Sequence, residues 1–197
     1  MINPILLDIP MPITTDRILL RPPQAGDGPG LNTAIIESLK ELHPWMPWAR
    51  TIPTVDESED NVRRAQAKWL LREDLRLPIF DKNTESVIGS SGLHRINWEI
   101  PLFEIGYWIR TSCVGKGYAT EASNALTRFA FEQLKAKRVE IRCSLRNEAS
   151  ATIAKKLGYE FEACLKETDA FALDGPRDTL VFVRFNAEGL PPLEVKW

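Results

Sequence analysis

The sequence predicts an α/β (α+β) domain, with helices packed on a mixed, mostly antiparallel sheet. Three observations carry that expectation. Segments of period-two and period-3.6 hydrophobicity interleave in the order β-α-α-β-β-β-α-β-α-β-β. Two neighbouring strands are joined through Asp81-Lys82-Asn83, short turn chemistry that makes a hairpin. Residues 103–145 run strand, loop, helix, strand, a βαβ-like unit inside an otherwise hairpin-rich chain.

Composition bounds the reading. The 197 residues suffice for one domain with a sizeable core, and 1–197 is read as a single unit. Apolar residues make up 44% and charged residues 26%, ordinary for a globular protein. A net charge of -2 gives no electrostatic reason to expect nucleic acid as a partner. No apolar run is long enough to span a bilayer, and Met1-Ile2-Asn3-Pro4 does not open a secretory signal. Cys113, Cys143 and Cys164 form no CxxC pair, so no metal site and no disulfide framework is expected. A reducing, cytoplasmic setting fits these features.

The elements follow in order. Residues 1–16 read as irregular, with prolines at 4, 10 and 12. Residues 17–21 read as a first strand, stopped by Pro22-Pro23. Leu31, Ala34, Ile35, Leu39 and Leu42 fall at helical spacing within 25–42. His43-Pro44-Trp45-Met46-Pro47-Trp48 cannot be regular helix. Residues 58–71 form a polar helix, with Asp56 or Ser58 as cap. Strands are expected over 77–80, 86–96 and 103–110. From Gly115 to Leu134 a loop enters a helix whose Ala119, Ala122, Leu126, Phe129 and Ala130 share one face. Val139, Ile141, Cys143 and Leu145 alternate with polar residues, marking a half-buried strand. Residues 149–157 make a short helix closed by Gly158. Residues 159–167 and 179–185 close the domain as a strand pair, and 186–197 read as irregular.

The chemistry concentrates in residues 104–122. A strand runs through a glycine-bearing loop into a helix, which aims backbone N–H groups and a helix dipole at one point. A plain strand-to-helix turn is the competing reading. A P-loop is excluded, because Lys116 is followed by Gly117 and not by Ser or Thr. The dinucleotide fingerprint GxGxxG fits at Gly115 and Gly117 but meets Thr120 at the third glycine.

The segment Glu104-Ile105-Gly106-Tyr107-Trp108, continued by Gly115-Lys116-Gly117-Tyr118-Ala119-Thr120-Glu121-Ala122, resembles motif A of the GNAT acetyltransferases, in their RimJ/RimL-type branch. Two further blocks agree with that family in order. Asn147-Glu148-Ala149-Ser150 with Lys156-Leu157-Gly158-Tyr159 is similar to its N-x-x-S…K-x-G-[FY] block, and Thr15-Asp16-Arg17-Ile18-Leu19-Leu20-Arg21 to its opening strand. The resemblance spans about 15–186. It implies a GNAT fold, whose central sheet splays in a V, and acetyl-CoA as cosubstrate without a metal. The pantetheine arm would pair with Trp108, Ile109 and Arg110. The pyrophosphate would sit on the amides of Val114, Gly115, Lys116, Gly117, Tyr118, Ala119 and Thr120. Asn147 and Ser150 would line the thioester side. The family's Gln or Arg ahead of the glycine loop is replaced by Ser112, which removes a side chain but no backbone donor.

Acyl transfer to an amine needs a base for the ammonium, donors for the oxyanion and relief for the leaving thiolate. Glu104 is the candidate base, sharing a strand face with Gly106 and Trp108. A structural carboxylate at a strand start competes with that role. By resemblance, Asp169 is a second base candidate. The tyrosine acid that many GNATs carry falls at Ala154, so Ser150 stands in as proton donor or sulfur ligand; a helix first-turn serine is its plainer reading. Cys143 reads as core filler, Cys113 has no neighbouring base, and His43 and His94 read as packed or surface residues. Trp45 and Trp48, set between prolines, either wall the acceptor cleft or pack on the core.

The reading that follows is an enzyme acetylating a primary amine by direct attack, in the first instance the N-terminal α-amine of a ribosomal protein, as monomer or homodimer and with no membrane partner. A small-molecule amine is the alternative acceptor. A non-catalytic CoA-binding or interaction module is the alternative class.

Overall fold

A computed structural model describes residues 3–169 and 175–197. Among these, twelve regular elements follow in the order β1 (Ile13–Thr14), β2 (Ile18–Leu20), α1 (Gly28–Leu42), α2 (Val55–Leu70), β3 (Leu75–Asp81), β4 (Val87–Asn97), β5 (Leu102–Ile109), α3 (Tyr118–Glu132), β6 (Arg138–Ser144), α4 (Glu148–Lys156), β7 (Glu160–Asp169) and β8 (Arg177–Arg184). They build one sheet in the order β1-β2-β3-β4-β5-β6-β8-β7. Every neighbouring pair is antiparallel except β5 and β6, which run parallel across the α3 crossover. The expected α/β class with a mixed, mostly antiparallel sheet is the observed one.

The sheet has a helical layer on each face. Ala122, Leu126, Phe129 and Ala130 of α3 meet Phe103, Ile105, Val139 and Ile141, all buried. On the other face Leu31 and Ala34 of α1 and Val62 of α2 pack with Phe80 and Val87. The predicted apolar stripe of α3 is therefore the seam of the main core.

Local chemistry explains most boundaries. Asp81 Oδ1 accepts from the amides of Asn83 (3.0 Å) and Thr84 (2.9 Å), the side-chain turn expected for the β3–β4 hairpin. Gly158 follows α4 with φ +69°, the left-handed exit a glycine permits. Three expectations are corrected. The cap of α2 is Thr54, not Asp56 or Ser58: Thr54 Oγ1 accepts from the Glu57 amide (3.1 Å) and Glu57 reaches back to the Thr54 amide (2.8 Å). Residues 1–16 are not wholly irregular, because Ile13 and Thr14 pair with Leu20 and Leu19. The tail is also tied down. The Lys196 amide donates to the Thr14 carbonyl (2.9 Å), and Trp197 stands edge-on to Phe129 at 5.9 Å.

The feature that positions the site is the end of pairing between β5 and β6. Only Leu102, Phe103 and Glu104 register with β6, against Arg138, Val139 and Glu140. Beyond them β5 continues along β4 to Ile109, and β6 continues along β8 to Ser144. The two halves of the sheet thus part at Glu104, giving the splay that the family resemblance implied.

Candidate active site

A cleft of about 880 Å³ opens where β5 and β6 separate. Its walls come from β5, the loop into α3, β6, the start of α4, β7 and the α1–α2 connection.

At one end lies the glycine loop. After β5 a single 3₁₀ turn, Thr111–Cys113, leads to Gly115 (φ +80°) and Gly117 (φ +84°), the latter being the N-cap of α3. The Glu121 amide already bonds the Gly117 carbonyl at 3.0 Å. The amides of Gly115 through Thr120 meet no protein acceptor among the described residues. Six donors at the positive end of a 15-residue helix are an anion site of the kind a pyrophosphate fills. Nothing stands within 4 Å of where a Cβ on Gly115 would lie, so the loop is open to a ligand.

The opening strand explains why this loop holds its shape. Glu121, in the first turn of α3, accepts from Thr15 Oγ1 at 2.5 Å and forms an ion pair with Arg17, whose guanidinium also donates to the Lys116 carbonyl at 3.0 Å and lies 4.6 Å from the Tyr118 ring. The Thr-x-Arg of the first block and the Glu of motif A are therefore two ends of one clamp. From the other side, Glu37 of α1 accepts from Arg110 Nε (2.6 Å) and the Ser112 amide (2.9 Å), while Ser38 Oγ accepts from the Thr111 amide (2.9 Å). The Arg110 and Ser112 hydrogen bonds hold the Glu37 carboxyl down at about 2.

That arrangement turns Arg110 away from the cleft. Arg110 is engaged away from the cleft: its side chain on Glu37, its amide on the Ile88 carbonyl (2.7 Å), its carbonyl on the Cys113 amide (2.8 Å). It does not line the cleft. Because antiparallel pairing alternates, Trp108 points its backbone groups the same way as Arg110, toward β4, leaving the backbone of Ile109 on the open edge. Lys116 is exposed and outside the cleft lining. Val114, Gly115, Gly117, Tyr118, Ala119, Thr120, Trp108 and Ile109 all line the cleft, as do Asn147 and Ser150.

Glu104 sits where the strands part, with Oε2 3.2 Å from Arg95 Nε and 3.5 Å from Arg142 Nε, ion-pair distances without a formed hydrogen bond. Burial raises its carboxyl above the usual range, more than Arg95, Arg142 and His94 lower it. Arg95 reaches this position from a β-bulge, at φ +45°. Asp169, the last residue of β7, lines the cleft and registers with Arg177. The two tryptophans separate. Trp45 lines the cleft with the Arg177 guanidinium 5.7 Å from its ring, whereas Trp48 lies outside the lining and packs on Trp108 at 5.9 Å.

On the α4 side, Asn147 caps the helix by accepting from the Ser150 amide at 3.1 Å. Ala154 is fully buried and carries no ionisable group, so no acid arises there. A hydroxyl that sequence reasoning missed takes the neighbourhood instead: Tyr107 reaches from β5 to within 2.8 Å of Ser150 Oγ. Its only signal was its place in motif A, since the partner lies 43 residues away on another element. Cys143 is buried yet also lines the cleft, its thiol pushed up to about 11 by burial, which leaves it a poor nucleophile. His94 is held by Asp74, with Nδ1 2.7 Å from Oδ2, and neither it nor His43 lines the cleft. Among the described residues no group of His, Cys, Asp and Glu could hold a metal. Among the described residues no helix is long and apolar enough to cross a membrane.

Comparison with known proteins agrees with this geometry. The chain is 28% identical over 170 residues to YdaF of Bacillus subtilis, covering 85% of this chain and 90% of that protein. It is 28% identical over 142 residues to the ribosomal-protein-serine acetyltransferase of Escherichia coli, covering 71% and 79%. The structure of RimL, a ribosomal L7/L12 α-N-protein acetyltransferase in complex with coenzyme A, superposes with a TM-score of 0.82 at 20% identity, over 91% of this chain and 98% of that one, and so shares the fold. Residues 17–160 match the family described as the acetyltransferase (GNAT) domain, nearly three quarters of the chain, and the chain belongs to that family.

Proposed function

We propose that the protein acetylates the N-terminal α-amine of another protein, a ribosomal protein in the first instance, by direct attack of the amine on acetyl-CoA within a ternary complex. Dependence on acetyl-CoA and transfer to an amine come with the family. The α-amine acceptor is our reading, and it sets the protein to work in the cytoplasm. One observation carries it: the gap between β5 and β6 puts a carboxylate, Glu104, and a hydroxyl, Ser150, into a single cleft that also ends in the unpartnered amides of the α3 N-terminus.

The residues divide the labour. The loop amides from Gly115 to Thr120 hold the pyrophosphate, and the Ile109 backbone extends its strand edge to the pantetheine arm. Asn147 keeps Ser150 at the first turn of α4, facing the thioester. Glu104 takes the ammonium proton; Asp169 on the opposite wall is the second candidate. Trp45 with Arg177 walls the acceptor side.

Magnitudes favour an α-amine. With a pKa near 7.7–8.0, about a tenth of an α-amine is already neutral at pH 7, against about 0.04% of a lysine side chain near 10.4. A weakly basic carboxylate such as Glu104 suffices for the first and falls short for the second. The acceptors of named relatives, a ribosomal-protein serine and L7/L12, support the same class.

The test is thiol release from acetyl-CoA with a panel of peptides copying ribosomal-protein N-termini, each also supplied with a blocked α-amine, beside small primary amines. Acetylation of free N-termini alone, located by mass spectrometry, is expected. Turnover only with small amines would move the acceptor to a small molecule. Tight CoA binding without turnover on any acceptor would leave a non-catalytic module.

A further inference from the structure

Tyr107 belongs to no role described so far, yet its hydroxyl enters the cleft beside Ser150. Ser150 Oγ carries one proton and two lone pairs. Its one partner among the described residues is the Tyr107 hydroxyl at 2.8 Å. That hydroxyl is also 3.3 Å from the Ser150 carbonyl. Two polarities are therefore open to the pair. If Ser150 donates to Tyr107, the tyrosine proton turns to the long carbonyl contact and lone pairs of Ser150 face the cleft. If Tyr107 donates to Ser150, the serine proton is left pointing away from the pair, into the cleft.

We infer that Tyr107 is a positioning residue: it donates to Ser150 Oγ and thereby aims the serine proton at the sulfur of the leaving thiolate. The inference rests on the CoA reading above and deepens it. As the amine nitrogen bonds to the acyl carbon and the C–S bond breaks, the electron pair collects on sulfur. A sulfur gaining charge is an acceptor and selects the polarity Tyr107 to Ser150 to sulfur, each bond polarising the next. No proton leaves the pair: the ammonium proton goes to the base before attack, the second amine proton is released to water as the nitrogen becomes an amide, and the thiolate departs hydrogen-bonded. Burial pushes the Tyr107 hydroxyl far above its ordinary value, and this keeps it a donor at every working pH. Buried Ala154 shows why the task falls to β5 here, since that position of α4 carries no hydroxyl.

The experiment compares Tyr107→Phe, Ser150→Ala and the double variant, with melting temperatures checking that each folds; the phenylalanine retains the ring. Ser150→Ala should lower kcat about 100-fold, as loss of one preorganised donor does. Tyr107→Phe should lower kcat about tenfold at unchanged KM for acetyl-CoA, and should cost nothing further once Ser150 is alanine. A second readout bears on sulfur alone. Binding of free CoA is measured against desulfo-CoA from about pH 6 to about pH 9, either side of a thiol near 8.5. The wild-type preference for CoA should rise with pH as the thiolate forms, and Tyr107→Phe should flatten that rise while leaving desulfo-CoA affinity alone. Equal losses of kcat in the wild-type and Ser150→Ala backgrounds would overturn the inference. So would an unchanged pH dependence, or an equal loss of affinity for CoA and desulfo-CoA, which marks a merely structural tyrosine. Failure of the wild-type protein to bind either molecule would instead overturn the CoA reading beneath it.

Discussion

Glu104 lies between opposed influences, and their balance sets its use. Withdrawal from water raises its carboxyl, while the guanidinium groups of Arg95 and Arg142 and the imidazole of His94 pull it back. The net value is above the usual carboxylate range. The sign follows directly: above that raised value Glu104 is ionised and can accept a proton, and activity falls as pH drops through it. An α-amine loses its own proton above about 7.7–8.0. Between those two limits the amine needs a base, and beyond the upper one it does not. Glu104→Gln should therefore lower kcat/KM by roughly 10²-fold within that window, with the deficit shrinking above about pH 8 and CoA affinity unchanged. The pH–rate profile of the variant with a peptide acceptor is the measurement. A profile that keeps its acid limb would pass the role to Asp169 or to water.

Two elements make the site, and both do so by leaving something unpaired. Strand β5 has β6 beside it only as far as Glu104, so its last residues keep an open edge; helix α3, capped by Gly117, starts with its first-turn amides bare. Gly117 sits at φ +84°, where a β-branched residue is strained whatever space surrounds it. Gly117→Val should weaken CoA binding at least about 100-fold by rotating the loop amides off the pyrophosphate, with little change in the fold, because Thr15, Arg17 and Glu121 still hold the helix. Calorimetric titration decides it, and retained wild-type affinity would remove the pyrophosphate from this loop. These elements were legible in the sequence because their signals are local: glycine spacing, a strand pattern before it, a helical pattern after it. The cap of α2 is equally local, Thr54 three residues before Glu57, with acidic and serine residues that could also cap lying just beyond it. What could not be read was non-local. Pairing of Thr14 with Lys196 joins residues 182 apart, and the Tyr107–Ser150 and Glu37–Arg110 contacts each join two elements whose patterns say nothing of one another.

At the scale of the molecule the cleft nearly divides the sheet. Strands β1 to β5 form one half and β6, β8 and β7 the other, with three paired residues and the α3 crossover between them. The polar ends of that seam are closed by charge: Arg142 lies between Glu104 and Glu140, and Arg138 joins Glu140 to Glu162. A ligand lying along the gap supplies the contacts that β6 withholds from the end of β5. It binds the folded halves and not the unfolded chain, so it must stabilise the whole molecule by mass action. At about 100 times its dissociation constant CoA contributes about 2.7 kcal/mol. For a domain of this size each kcal/mol raises the melting temperature by about 2–4 °C, so a rise of about 5–10 °C is expected. The rise should grow with the logarithm of CoA concentration and should vanish in Gly117→Val. Hydrogen exchange locates the effect: the Ile109 amide and those from Gly115 to Thr120 should slow on binding, while the β7 edge is unaffected. Stabilisation without protection at those amides would mean that CoA binds elsewhere on the molecule, and no stabilisation at all would mean that the open strand edge serves some other ligand.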